Sequence, residues 1–232
     1  MKTPFFTIDP RLTTLADRAL KRAEEAFQNI EEITEYNQQK VLAAFIEEKV
    51  SEPLFYPTTG YGYGDRGRDA LDRVYASAFG AEDALVRYNF VRGTHALTVA
   101  LFGVLRPGDT MLSVTGMPYD TLRGVIGITG DGNGSLKEFG IEYRQVVLLP
   151  DGTTDLEAID EAVKDPRVKV AYVQRSRGYS LRPSINMDMM GKLIQTVRKN
   201  NPKAIFMVDN CYGIFTEKTE PTQLGADLIV GS

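Results

Sequence analysis

The chain has 232 residues, 43% of them hydrophobic and 25% charged, enough apolar material for one large α/β domain with a sizeable core. Its 27 basic and 31 acidic residues leave a net charge of −4, which argues against a nucleic-acid partner. A single cysteine, Cys211, excludes an internal disulfide and fits a reducing compartment; with a single histidine, His95, it also argues against a zinc site, so no metal is expected.

No apolar run approaches membrane-spanning length, and Met1 to Leu12 lacks the long apolar core of a signal peptide. A cytoplasmic protein that engages no membrane is the expectation. Asp9-Pro10 opens a helical pattern carried by Leu12, Leu15, Ala16, Ala19, Ala23, Phe27 and Ile30. A second helix is expected with Val41, Leu42, Phe45 and Ile46 on one face. Both are amphipathic and precede any strand, so they pack either on their own domain or on a partner subunit.

Pro53 to Gly67 reads as a loop rich in glycine and tyrosine. Gly62, Gly64 and Gly67 form a G-x-G-x-x-G, yet Pro57, Thr58 and Thr59 precede it instead of a strand, so the dinucleotide reading fails. Glycines let backbone approach a ligand and tyrosines supply rings and hydroxyls, which favours a binding loop over a surface Ω-loop. A helix follows over Arg68 to Phe79, stopped by Gly80.

Ala84 to Tyr88 reads as a strand, and Asn89 to Ala96 as a turn into a helix from Leu97 to Val104. A strand, a turn of small residues and a helix N-terminus make an anion site. The amides of Gly93, Thr94 and His95 would hold a phosphate, with the Thr94 hydroxyl as a further donor; simple capping by Thr94 is the alternative. Thr110 to Val114 is the next strand, and Tyr119 lies just beyond its end, as a stacking ring or as a core residue.

Glu142 to Leu149 reads as a strand and Asp155 to Val163 as a helix, capped by Thr154 or Asp155. Val168 to Val173 is a buried strand followed by Gln174-Arg175-Ser176-Arg177-Gly178-Tyr179, a polar cluster that points to a polar ligand or to a solvated loop. A helix over Ile185 to Lys199 leads to Ala204-Ile205-Phe206-Met207-Val208-Asp209. This apolar run has no alternation, as in a strand buried on both faces of a parallel sheet, and it stops at a carboxylate. An acid at that edge calls for a partner: a metal, a ribose hydroxyl or a protonated ring nitrogen. The chain reaches Leu228-Ile229-Val230-Gly231-Ser232 without a closing element, so it reads as truncated, a fragment of a longer protein.

Strands alternating with helices from Ala84 onward predict an α/β fold, a mostly parallel sheet with flanking helices behind an N-terminal helical segment. Phosphate donors after one strand, a tyrosine after another and an acid after a third suit pyridoxal phosphate. A Mg²⁺-nucleotide site would need a P-loop lysine, and no G-x-x-x-x-G-K-[ST] occurs.

With these residues the chain resembles the fold-type-I pyridoxal-phosphate enzymes, and within them the aluminium-resistance or methionine gamma-lyase-like family of the cystathionine lyase group. The matching stretches are Thr58 to Tyr63, Arg92 to Ala96, Gly116 to Leu122, Gln174 to Tyr179 and Val208 to Gly213, in order along nearly the whole chain. The resemblance implies that residues 61–232 are an incomplete cofactor-binding large domain behind a helical segment and loop at 1–60, without the family's small C-terminal domain. It implies that Gly93 and Thr94 hold the cofactor phosphate, that Tyr119 stacks on the ring and that Asp209 pairs with the ring nitrogen. Ser232 matches the serine that precedes the cofactor-bearing lysine, which would fall after residue 232. Tyr63 and Arg66 resemble a tyrosine–arginine pair that reaches the phosphate of a neighbouring subunit, although Gly64 and Asp65 separate them where the wider group has one residue. The implied activity is β- or γ-elimination on a sulfur amino acid by a homodimer or homotetramer. Transamination, or a non-catalytic role in cofactor binding or assembly, is the alternative.

Overall fold

The computed structural model describes residues 5–59, 61 and 63–232; Gly60 and Gly62 of the glycine-rich loop lie outside the described residues, as do residues 1–4. The strands β1 (Thr110–Ser113), β2 (Glu142–Gln145), β3 (Val168–Gln174), β4 (Ile205–Asp209) and β5 (Leu228–Val230) form one sheet in the order β2-β1-β3-β4-β5. Every pairing is parallel, and the Gln174 position of β3 stands opposite Asp209 of β4. Parallel strands need crossovers; helices α4 (Asp120–Ile126), α5 (Leu156–Ala162) and α6 (Met187–Asn200) occupy three of them, and the 3-10 turn Pro221–Leu224 lies in the fourth, between β4 and β5. From β1 the chain first runs to β2 on one side and then returns to β3 on the other. That reversal opens a crevice beyond the carboxyl ends of β1 and β3, where open α/β sheets bind ligands.

Both faces of the sheet are covered, which is why its strands read as unbroken apolar runs. Leu112, Ala171, Val173, Phe206 and Val208 pack under α5 and α6, whose Met190, Leu193, Ile194 and Val197 recur at helical spacing. Met111, Val170, Tyr172 and Met207 face the other way, against Leu97 and Leu101 of α3 (Gly93–Val104) and Leu122 and Ile126 of α4. Since α3 leads into β1 through a short turn and packs alongside it, its N-terminus lies at the carboxyl edge of the sheet.

The N-terminal region differs from expectation. One helix, α1 (Pro10–Glu47), replaces the two expected. Glu31 to Lys40 joins the two amphipathic stretches with no proline or glycine to break them. Asp9 caps it through Arg11 N–H at 2.8 Å, and Asn37 Nδ2 ties it to the carbonyls of Phe215 and Glu217 at 3.1 and 3.0 Å. Helix α2 spans Arg66–Phe79 and ends, as expected, at Gly80 with φ 62°. Arg66 and Gly67 therefore belong to a helix and not to a loop. Gly67 is explained by packing, because a Cβ there would overlap the Leu54 carbonyl oxygen in the 3-10 turn Glu52–Phe55.

Ala84 to Tyr88 is not a strand. The Val86 N–H donates to Asp72 Oδ1 of α2 at 2.8 Å, and Arg87 pairs with the same carboxylate at 2.7 Å, so α2 side chains supply what a neighbouring strand would. β2 ends at Gln145, short of the expected Leu149, after Val146 N–H makes a last bond to the Ser113 carbonyl at 2.9 Å. Asp155, and not Thr154, caps α5 by accepting the Ala158 N–H at 2.9 Å. No helix among the described residues is long and apolar enough to cross a membrane.

Candidate functional site

Alternation along β4 sends Phe206 and Val208 toward α5 and α6, and Ile205, Met207 and Asp209 toward α3 and α4. The Asp209 carboxylate thus ends the strand inside the layer that α3 covers, 3% exposed. Its Oδ1 accepts the Cys211 N–H at 3.1 Å and its Oδ2 accepts the Tyr172 O–H at 3.3 Å. Burial raises its pKa, and these donors pull the other way. No lysine, arginine or histidine pairs with it among the described residues. No set of three or more His, Cys, Asp or Glu side chains that could hold a metal occurs among them either. A buried carboxylate is costly without a cation, and none is supplied to Asp209 among the described residues.

Tyr119 lies at the N-cap of α4. Its hydroxyl is 3.1 Å from Thr94 Oγ1, which in turn is 2.8 Å from Thr121 Oγ1. The ring is half-buried against the α3–α4 layer. Burial raises its phenol pKa, and the nearby Asp209 charge adds to the rise. Thr94 is not the N-cap of α3, a position held by Arg92, so its hydroxyl is spent on Tyr119 and Thr121 instead of on the helix end.

Gly93 is the first residue of α3, and the Arg92 side chain makes no capping hydrogen bond. The His95 and Ala96 amides bond the Arg92 carbonyl at 3.0 and 3.1 Å, so His95, expected as a third phosphate donor, is already engaged. Among the described residues, the Gly93 and Thr94 amides have no acceptor at this positive helix end. A Cβ on Gly93 would stand 3.1 Å from Ser232 Oγ and 3.2 Å from Cys211 Sγ. Cys211 Sγ and Ser232 Oγ are themselves 3.8 Å apart. The residues that follow β4 and β5 and the start of α3 therefore close around one small space. Burial, with the Asp209 charge, pushes the Cys211 thiol up to about 11, so it stays neutral.

Five of the seven residues singled out in the sequence meet here: Gly93, Thr94, Tyr119, Asp209 and Ser232. Tyr63 is 92% exposed, and Arg66 stands exposed at the start of α2. Neither hydrogen-bonds to the five among the described residues.

The polar cluster after β3 divides. Arg175, expected to meet a ligand, is 3% exposed and wholly committed to the protein. It donates to Asn210 Oδ1 at 2.9 Å, the Gly213 carbonyl and Glu217 Oε1 at 2.9 Å, beside the buried Glu220. Arg177 and Tyr179 are exposed. Sequence reasoning gave Gln174 only as part of the polar cluster and assigned no site role to Tyr172 or Cys211, although a lone tyrosine in the aliphatic run of β3 was a usable signal for Tyr172.

The family described as methionine gamma-lyase matches residues 12–232. An uncharacterized protein of Bacillus subtilis (strain 168), YnbB, is 49% identical over 206 residues, which are 88% of this chain and 49% of that one. The L-methionine gamma-lyase of Pseudomonas putida is 30% identical over 165 residues, 70% of this chain and 35% of that one. Among solved structures, a carbon-sulfur lyase involved in aluminum resistance from Clostridium novyi NT is 50% identical with a TM-score of 0.91, covering 96% of this chain and 53% of that one. The chain thus spans about half the length of the relatives it matches first. By the match along nearly all of its residues, the chain belongs to the methionine gamma-lyase family.

Proposed function

We propose that the full-length protein is a pyridoxal-phosphate-dependent carbon-sulfur lyase that eliminates a thiol from a sulfur amino acid. The observation that carries this reading is Asp209, a buried carboxylate with no cationic partner among the described residues, at the carboxyl edge of a parallel sheet, near enough to Tyr119 for its charge to act on the phenol and next to an open helix N-terminus. The donor set fits the cofactor at each end. Asp209 would hold the ring N–H⁺ by a charge-assisted hydrogen bond. The Gly93 and Thr94 amides and the Ser232 hydroxyl would hold the phosphate at the positive end of α3. Tyr119 would cover a face of the ring. When bound, pyridoxal phosphate supplies a protonated ring that takes up the charge left on the substrate carbon after proton loss.

By resemblance, the lysine that carries the cofactor and removes that proton follows Ser232. Tyr63 and Arg66 would reach the phosphate site of a neighbouring subunit, which makes the working protein a homodimer or homotetramer. Leu12, Leu15, Leu20, Phe27 and Ile30, exposed along α1, support such an assembly. The single cysteine supports a reducing, cytoplasmic setting.

The test is borohydride reduction of the full-length protein with pyridoxal phosphate, then peptide mass mapping and product analysis. A pyridoxyl group on a lysine just past Ser232, with pyruvate or 2-oxobutyrate and a thiol among the products, is the expected result. No adduct, or exchange of keto acid for amino acid without thiol release, overturns it.

A further inference from the structure

Tyr172 is fully buried in β3, at 0% exposure, among aliphatic side chains. A phenylalanine would fill that space without a polar atom to satisfy. Burying a hydroxyl is unfavourable unless it is bonded. The Tyr172 hydroxyl has one hydrogen-bond partner among the described residues, Asp209 Oδ2 at 3.3 Å. The other Asp209 oxygen is held by the Cys211 backbone N–H. Each oxygen of the carboxylate therefore has its own donor, one from the main chain and one from a side chain 37 positions away.

We propose that Tyr172 is a positioning residue: its hydroxyl holds the Asp209 carboxylate fixed in orientation, and so sets how strongly the site prefers a ring that carries N–H⁺ over a neutral ring of the same shape. This role rests on pyridoxal phosphate being the ligand of Asp209. The groups that face Asp209 agree with it. Burial and the Asp209 charge keep the Tyr172 phenol protonated, well above its ordinary range, so it remains a donor. The Cys211 thiol, a further donor to Asp209, and the Tyr119 phenol are held neutral in the same way and add no competing charge.

The test compares the affinity of the full-length protein for pyridoxal phosphate and for its 1-deaza analogue, in which C–H replaces the ring nitrogen. Wild type prefers pyridoxal phosphate. In Tyr172→Phe the preference falls about tenfold, the scale of one hydrogen bond to a charged group, through weaker binding of pyridoxal phosphate alone. In Asp209→Ala it disappears. A Phe variant that weakens both ligands equally, or neither, overturns the role of Tyr172 while Asp209→Ala upholds the cofactor reading. A preference that survives in Asp209→Ala overturns the cofactor reading itself. If the Phe variant does not fold, 3-fluorotyrosine at position 172 answers in a protein of nearly unchanged shape. Its fluorine resonance moves on binding pyridoxal phosphate and not on binding the analogue; equal shifts for the two overturn the proposal.

Discussion

Gln174, the last residue of β3, holds the backbone of Tyr119 across the crevice: its Oε1 accepts the Tyr119 N–H at 2.9 Å. The other side-chain atom, Nε2, donates to the Ser176 carbonyl at 3.2 Å, and the Gln174 main-chain N–H donates to Thr115 Oγ1 at 3.0 Å. The loop after β1 and the loop after β3 are thereby joined through one buried amide side chain. Replacing Gln174 with leucine leaves the Tyr119 N–H without an acceptor, at about 1–3 kcal/mol. Urea denaturation should show that loss, and pyridoxal-phosphate affinity in the full-length protein should fall with it. Wild-type affinity in the leucine variant would mean that Gln174 does not set the position of Tyr119.

Asp209 should make the ligand-free protein less stable at neutral pH than an uncharged residue would. Burial raises its folded pKa above the unfolded value. The stability linked to that group is therefore full below the unfolded carboxyl pKa of about 3.9 and is lost as pH rises through the folded pKa. Asp209→Asn removes the buried charge and keeps the shape. Its Tm at pH 7.5 should exceed that of wild type, with the gap closing as pH falls. The same variant should release pyridoxal phosphate readily. A lower Tm at every pH would show that the carboxylate is a net stabiliser.

Gly93→Ala should separate binding from folding. Alanine suits the first turn of a helix at least as well as glycine, so the melting temperature should hold. The added methyl enters the space bounded by Ser232 Oγ and Cys211 Sγ, and cofactor retention should drop by tenfold or more. Cys211→Ala in the same chain should recover part of it by opening one wall. Unaltered retention in Gly93→Ala, read by absorbance after gel filtration, would remove this space from the phosphate site.

Arg175→Met should be the most damaging of these changes. It leaves the buried Glu220 without the cation 3.8 Å away and removes a donor from Asn210 Oδ1 and from the Gly213 carbonyl, at roughly 3–5 kcal/mol for a broken buried pair. Glu217 also accepts the Met187 N–H at the start of α6, so the loss should spread from 210–220 into that helix. Hydrogen exchange should report both segments. Faster exchange confined to surface loops elsewhere would contradict this.

The strands were the most legible part of the sequence. The runs that became β3 and β4 have no period-2 alternation, and both faces proved covered. Asp209 was legible because a carboxylate that ends such a run has no packing reason to be there. What stayed hidden depends on partners distant in sequence. Nothing near Arg175 marks it as the hub of a loop some 40 residues on, and nothing near Ala84 says that Asp72 of α2 takes the Val86 N–H in place of a strand. Tyr172 likewise shows its role only once β3 and β4 lie side by side in register.

Asn37 is the first buried residue of α1, a helix of 38 residues and about 57 Å. The turns before it rely mainly on their own backbone hydrogen bonds, and a helix held that way is marginal in water. If a second copy covers Leu12, Leu15, Leu20, Phe27 and Ile30, the order of residues 10–36 becomes a matter of mass action. Dilution would then unwind that stretch while the sheet stays intact. Far-ultraviolet circular dichroism would fall with concentration and level off at the helix content of the remaining domain, so α1 would serve as the protein's own gauge of assembly.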